Sequence, residues 1–221
     1  MLYTQIPSTT FKQLQLNAGI ITSSFTPGTA ALDQSSILGA TTGGISFTAT
    51  PTYTDFGEDI DNCPKNMKEL KKLESWEVKL SGTFVTVSSD LAKTLVGAAD
   101  KATGDATKVV PRNDLTADDF KDVWFVGDYS DVNTGESAGF LAIHVMNALS
   151  TGGFQLTTTD KAKGQFAFEF TGHYSMDKQD TPPFEVYVKA GTATGKALAM
   201  DGDAPAVASG EAVSDGKKSS K

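Results

Sequence analysis

Apolar and polar side chains alternate most regularly between Ile45 and Val87. In Ile45-Ser46-Phe47-Thr48-Ala49-Thr50-Pro51-Thr52-Tyr53-Thr54, Ile45, Phe47, Ala49 and Tyr53 share one face and hydroxyls fill the other, the period of two expected of a half-buried strand. Trp76 to Phe84 repeats the pattern, with Trp76, Val78, Leu80 and Phe84 opposite Glu77, Lys79, Ser81 and Thr83. These segments predict a sheet with one face in a core and a second, hydroxyl-rich face free for another use.

The remaining pattern is also mainly β. Phe11 to Phe25 reads as a broken strand, or two strands meeting at a turn at Asn17-Ala18-Gly19, and Thr26 to Gly44 as a loop free to order against a partner. Ser89 to Ala99 predicts the one helix, with a serine cap, an early Asp90, and Leu91, Leu95 and Ala98 on one stripe. Lys101 to Asp119 reads as connector, with a helical turn near Thr116 to Phe120. Val123 to Val126 predicts a strand buried on both faces, and Gly139 to Ala148 a further strand. Gly153 to Thr159 and Gln165 to Thr171 predict a hairpin with Phe166, Phe168 and Phe170 inward, and Phe184 to Val188 predicts the last strand. The expected organisation is one β domain over residues 1–190, then a low-complexity tail over 191–221 too poor in apolar residues to order itself.

Charge narrows the function classes. A net charge of -8 and a single arginine, Arg112, argue against tight binding to nucleic acid, which needs clustered cations to neutralise phosphates. An acidic chain remains compatible with nucleic acid that passes without sticking. One cysteine, Cys63, excludes an internal disulfide, and the apolar runs are too short to span a bilayer, so a soluble protein kept in the cytoplasm is expected.

Three constellations could carry chemistry. Asp55, Glu58, Asp59, Asp61 and Asn62 place oxygen ligands close together, but the glycine an EF-hand loop needs is missing and Cys63-Pro64 interrupts the run. A solvated acidic turn or a subunit contact fits better than a metal site. Cys63 with His144 or His173 would need a triad assembled in space, with no local signature to support it. Glu77 and Glu169 could pair as glycosidase carboxylates only if neighbouring strands set their separation. Pro64 to Leu73, with Met67, Leu70 and Leu73 at three-residue spacing among lysines, fits a short basic helix or an extended arm. An acidic stretch followed by a basic one also suits head-to-tail self-association.

Asp55-Phe56-Gly57-Glu58-Asp59-Ile60-Asp61-Asn62-Cys63-Pro64, then Lys68-Glu69-Leu70-Lys71, then Ser75 to Thr83 resemble the major tail tube protein of long-tailed, siphovirus-type bacteriophages. Leu16-Asn17-Ala18-Gly19-Ile20 resembles the start of that family. The resemblance implies a β-sandwich or barrel-like tail tube fold with one flanking helix, in rings of six stacked around a channel for double-stranded DNA. It implies no enzymatic activity and no cofactor or metal. Implied partners are further copies of the chain and the tape measure, tail terminator and distal tail proteins, without membrane insertion. The implied location is the virion tail, reached from the host cytoplasm during assembly.

On that resemblance the long loop from Asp55 to Ser75 reaches the neighbouring ring, with Asp55, Glu58, Asp59 and Asp61 as acidic contacts and Lys65, Lys68, Lys71 and Lys72 as basic ones. A wall that DNA slides past should not be basic. The outward positions Ser46, Thr48, Thr50 and Thr52, then Glu77, Lys79, Ser81 and Thr83, then Gln165, Glu169 and Thr171 suit such a lining, Lys79 being the exception. A glycan-binding β-sandwich and a carboxylate-based hydrolase are the alternatives.

Overall fold

A computed structural model of the chain describes residues 6–7, 9–29, 32–130 and 138–192. The predicted tail lies, from residue 193 on, outside the described residues. Strands β1 (Gln15–Thr22), β2 (Ile37–Gly39), β3 (Thr41–Asp55) and β4 (Lys71–Phe84) precede α1 (Ser89–Val96), the single α-helix among the described residues. Then follow β5 (Ala99–Ala102), β6 (Asp105–Pro111), β7 (Lys121–Tyr129), β8 (Phe140–Ser150), β9 (Gln155–Thr157), β10 (Gln165–Gly172) and β11 (Phe184–Lys189). The fold is mainly β, as the alternation predicts.

Two antiparallel layers face each other. One runs β2-β1-β7-β8-β11, the other β9-β10-β4-β3, and β5-β6 form a separate hairpin. Strand β8 belongs to both layers: Phe140 to Val145 pair with β11, whereas Leu149 and Ser150 pair with β10. The change of layer falls beside Asn147, whose φ of 46° lies in the left-handed region that asparagine tolerates better than most residues. Its N–H donates to Asp122 Oδ1 at 3.1 Å and its Nδ2 to the His173 carbonyl at 3.2 Å, so the kinked backbone is held from two sides.

The main core fills the space between the layers. Val78, Leu80 and Phe84 of β4 and Phe166, Phe168 and Phe170 of β10 meet Val123, Phe125, Ile143 and Val145 of the opposite layer. Helix α1 closes one end with Leu91 and Leu95. Its cap is Ser88, one residue earlier than the expected start, whose Oγ accepts from Leu91 N at 3.1 Å, and it ends at Gly97, where φ is 83°. Val123 and Phe125 point into this core, while Trp124 joins Phe25, Phe140 and Ala142 in a second cluster. The run from Val123 to Val126 is therefore apolar because both its faces are covered.

Several local expectations are corrected. Asn17-Ala18-Gly19 does not divide two strands: β1 is continuous, with an irregularity between Leu16 and Ile20 that the positive φ of Asn17 and Gly19 allows. The presumed loop from Thr26 to Gly44 contains a 3-10 turn, all of β2 and the start of β3, because Ile37 to Gly39 find β1 as a pairing partner. Gly43 and Gly44, at the end of that expected loop, sit in a bulge within β3, both with positive φ. The connector from Lys101 to Asp119 holds most of the β5-β6 hairpin and the expected turn, whose capping box joins Thr116 and Asp119. Pro64 to Leu73 forms no α-helix; one 3-10 turn at Lys68–Leu70 passes directly into β4.

The core assignment predicts a stability contrast. Phe170 is 1% exposed and Tyr53 is 53% exposed. Phe170→Ala should cost about 3–5 kcal/mol and Tyr53→Ala under about 0.5 kcal/mol in urea unfolding. Equal costs for the two substitutions would contradict the placement of the core.

Candidate assembly surface

The β9-β10-β4-β3 layer turns one face to the core and the other away from it. Strand register carries the hydroxyl positions of three strands into rows across this outer face: Ser46 opposite Ser81, which is opposite Glu169, and Thr48 opposite Lys79, which is opposite Thr171. Thr50 lies opposite Glu77, Thr52 opposite Ser75, Thr83 opposite Thr42, and Gln165 opposite Thr157 of β9. The residues predicted as one lining thus share one surface, which follows from a period of two once the register is set.

Electrostatics on this face cancel its only predicted cation. Lys79 Nζ lies 2.7 Å from Glu77 Oε1. That hydrogen bond, the Glu77 charge and the more distant Glu169 charge raise the Lys79 pKa, so Lys79 stays charged and is paired with Glu77. Glu169 also accepts from Thr151 Oγ1 at 3.1 Å, and the Thr151 and Thr171 hydroxyls are 2.7 Å apart. Glu77 and Glu169 lie on different strands of this face. Glu169 pairs with Ser81, four residues along β4 from Glu77, which puts the two backbones on the order of 14 Å apart. The Glu77 carboxylate is engaged by Lys79.

Both margins of this layer carry strands with one partner. Among the described residues β3, with 15 residues, pairs only with β4, and β9, with three, pairs only with β10. Phe154 and Leu156 are exposed at the β9 margin. A strand edge with unpaired backbone groups is a template for another strand.

Beyond Pro51 and Trp76, the β3-β4 ribbon leaves the sandwich as an arm. Strand pairing continues to Asp55 opposite Lys71, so the expected loop from Asp55 to Ser75 shrinks to a tip between them. A register shift beside Thr52 and Tyr53 leaves Glu74 without a cross-strand partner and sets Tyr53 opposite Leu73. Tyr53 was expected on a buried face. It is exposed, because the core ends where Trp76 packs on Phe184 with ring centroids 5.3 Å apart.

Asp55 builds the tip. Its Oδ1 accepts from Gly57 N at 2.9 Å and its Oδ2 from Asn66 N at 2.8 Å, and these two bonds lower its pKa. Lys71 Nζ donates to Asn66 Oδ1 at 3.2 Å and stands 5.7 Å above the Tyr53 ring. Of the predicted contact residues, Asp55 and Lys71 therefore shape the arm itself. Glu58, Asp59, Asp61, Lys65, Lys68 and Lys72 are exposed, with Lys68 beside Glu69 at 3.5 Å.

The tip also exposes Phe56, Ile60 and Met67, which charge patterning passes over. Their signal in the sequence was present: apolar residues in a segment with no strand or helix period have no face on which to be buried.

The catalytic constellations do not come together. Cys63 Sγ contacts the Pro64 carbonyl and Met67 Sδ on the arm, while His173 bonds the Asn147 carbonyl in the sandwich. His144 is stacked on Trp124 at 4.0 Å, between Asp122 and Glu185. Among the described residues no group of three or more His, Cys, Asp or Glu side chains could hold a metal ion.

A carboxylate with a depressed pKa contributes order above the unfolded value and loses it as pH falls through the folded value. Amide exchange at Gly57 and Asn66 should therefore stay protected at neutral pH and lose protection selectively below about pH 4. Asp55→Asn should weaken that protection at neutral pH. Unchanged protection in the variant would remove Asp55 from this role.

No protein-family model and no curated protein matches the chain. Among solved structures, a chain from "Virion of native gene transfer agent (GTA) particle" is similar over 78% of this chain and 96% of that chain, at 8% identity and a TM-score of 0.39. Similarity at that level carries no inference about function.

Proposed function

We propose that the chain is a structural virion protein, without enzymatic activity, that polymerises into stacked rings forming the tube of a non-contractile phage tail. Double-stranded DNA passes through the tube without specific binding. The observation that carries this reading is the outer face of β3, β4 and β10: hydroxyls, two acids, and a lysine paired with one of them, Glu77. A basic lining would capture phosphates and exchange their counterions, tying DNA movement to salt. A hydroxyl and acidic lining leaves the duplex hydrated and unbound.

The free margins supply the ring contacts. Pairing of β3 in one copy with the β9-β10 margin of the next is heterologous, the kind of contact from which closed rings are built when its rotation closes, and it satisfies edges that would otherwise invite aggregation. Six copies per ring, and the tape measure, tail terminator and distal tail proteins as partners, follow from the family resemblance and belong to the same proposal. So does assembly in the host cytoplasm. The arm, with Glu58, Asp59, Asp61 and the lysines after them, makes the contact between rings.

Electron microscopy of the purified full chain, alone and with the tail-length-determining partner, should show rings or tubes. Monomers under both conditions would refute polymerisation. In assembled tubes, Thr48→Lys combined with Ser81→Lys should retain duplex DNA at low salt and release it as salt rises, whereas the unchanged chain should retain none. Equal DNA retention by the two tubes would remove this face from the channel.

A further inference from the structure

A cleft of ≈ 880 Å³ lies between α1, the β5-β6 hairpin, β2 and the start of β7. Lys93, Lys101 and Lys121 line it together with Ser35, Ser36 and Ser88. Asp90, Asp100 and Asp122 also line it, with Lys101 Nζ 2.7 Å from Asp90 and Lys93 Nζ 3.7 Å from Asp100. Lys121 is exposed and enters none of the ion pairs among the described residues. One wall is pinned by Arg112, which leaves β6, reaches Asp119 at 2.6 Å and places its Nε 2.7 Å from Asp100.

The cleft and the arm occupy opposite ends of one ribbon. Thr41 pairs with Phe84 at the end where α1 begins, and Asp55 pairs with Lys71 at the end where the arm tip begins. Fifteen residues of β3 span on the order of 45 Å between them. Surfaces at opposite poles cannot meet within one copy, but they can meet head to tail between copies.

Their chemistry also matches. The arm tip carries exposed Glu58, Asp59 and Asp61, then exposed Lys65 and Lys68. The cleft carries lysines and aspartates in comparable number, which disfavours a simple anion and suits a segment bearing both signs, with Lys121 open to an incoming carboxylate. We propose that the arm tip of one copy seats in the α1 cleft of a second copy. This rests on the ring-stacking reading, and it names the receiving surface in the next ring.

The test uses full-length chains and a readout that does not require tubes. One chain carries Asp61→Cys with Cys63→Ser, and the other carries Thr103→Cys with Cys63→Ser and a tag that changes its mass; Thr103 also lines the cleft. Mild oxidation of the mixture should give arm-to-cleft heterodimers in excess of either homodimer. Lys121→Glu in the cleft chain should reduce that product about tenfold, and adding Asp59→Lys to the arm chain should restore it. A statistical mixture of dimers, or a yield indifferent to Lys121→Glu, would overturn the contact. If the heterodimer forms but the unchanged chain makes no rings or tubes, the tube reading fails and the contact stands. If tubes form without the heterodimer, the contact fails and the tube reading stands.

Discussion

The fold depends on the contact that holds β10 against β4 in one register. Phe84 and Phe168 lie with ring centroids 4.5 Å apart, and Phe168 stands opposite Gly82. A Cβ at Gly82 would come within 2.9 Å of the Phe168 ring, so the missing side chain makes room for that ring. A slip of one residue would turn Phe166, Phe168 and Phe170 outward and bury Glu169 in their place. Core, outer face and ribbon all follow from this pairing, because β3 takes its register from β4 and continues the same alternation.

Closure of the sandwich uses a different device. Strand β8 crosses from one layer to the other at Asn147, and the Ser150 hydroxyl bonds the Leu95 carbonyl at 2.8 Å, so the crossing also anchors the helix end. The helix, the β5-β6 hairpin and the cleft between them are therefore set on the rigid part of the molecule. The arm stands away from it. Its order comes from strand pairing and from Asp55, without apolar burial like that of the sandwich, and it exposes apolar side chains as well as charges. That contrast suits an element whose remaining contacts lie outside its own chain.

Much of this was legible locally. The inward phenylalanines of β10, the hydroxyl row of β3, the Leu91 and Leu95 stripe and the doubly covered run at Val123 to Val126 all rest on side-chain period, which a short window contains. What was missed depended on partners distant along the chain. Ile37 to Gly39 looked like loop until β1 paired with them, and the β5-β6 hairpin was hidden by short strands among Gly, Asp and Thr. Trp124 reads as inward, but its cover is Phe25, about a hundred residues earlier and outside the main core.

For the candidate surface the division is similar. Alternation alone determined that β3, β4 and β10 each have a polar face, since that property repeats every second residue. Folding decided that the three faces form one surface, that Lys79 is paired with Glu77 upon it, and that the arm and the α1 cleft lie at opposite poles. Tyr53 marks the boundary: its period is that of a core residue, yet it is exposed because the opposing layer ends before reaching it. Periodicity specifies which side of a strand is apolar, whereas only the packed layers specify whether anything stands opposite that side.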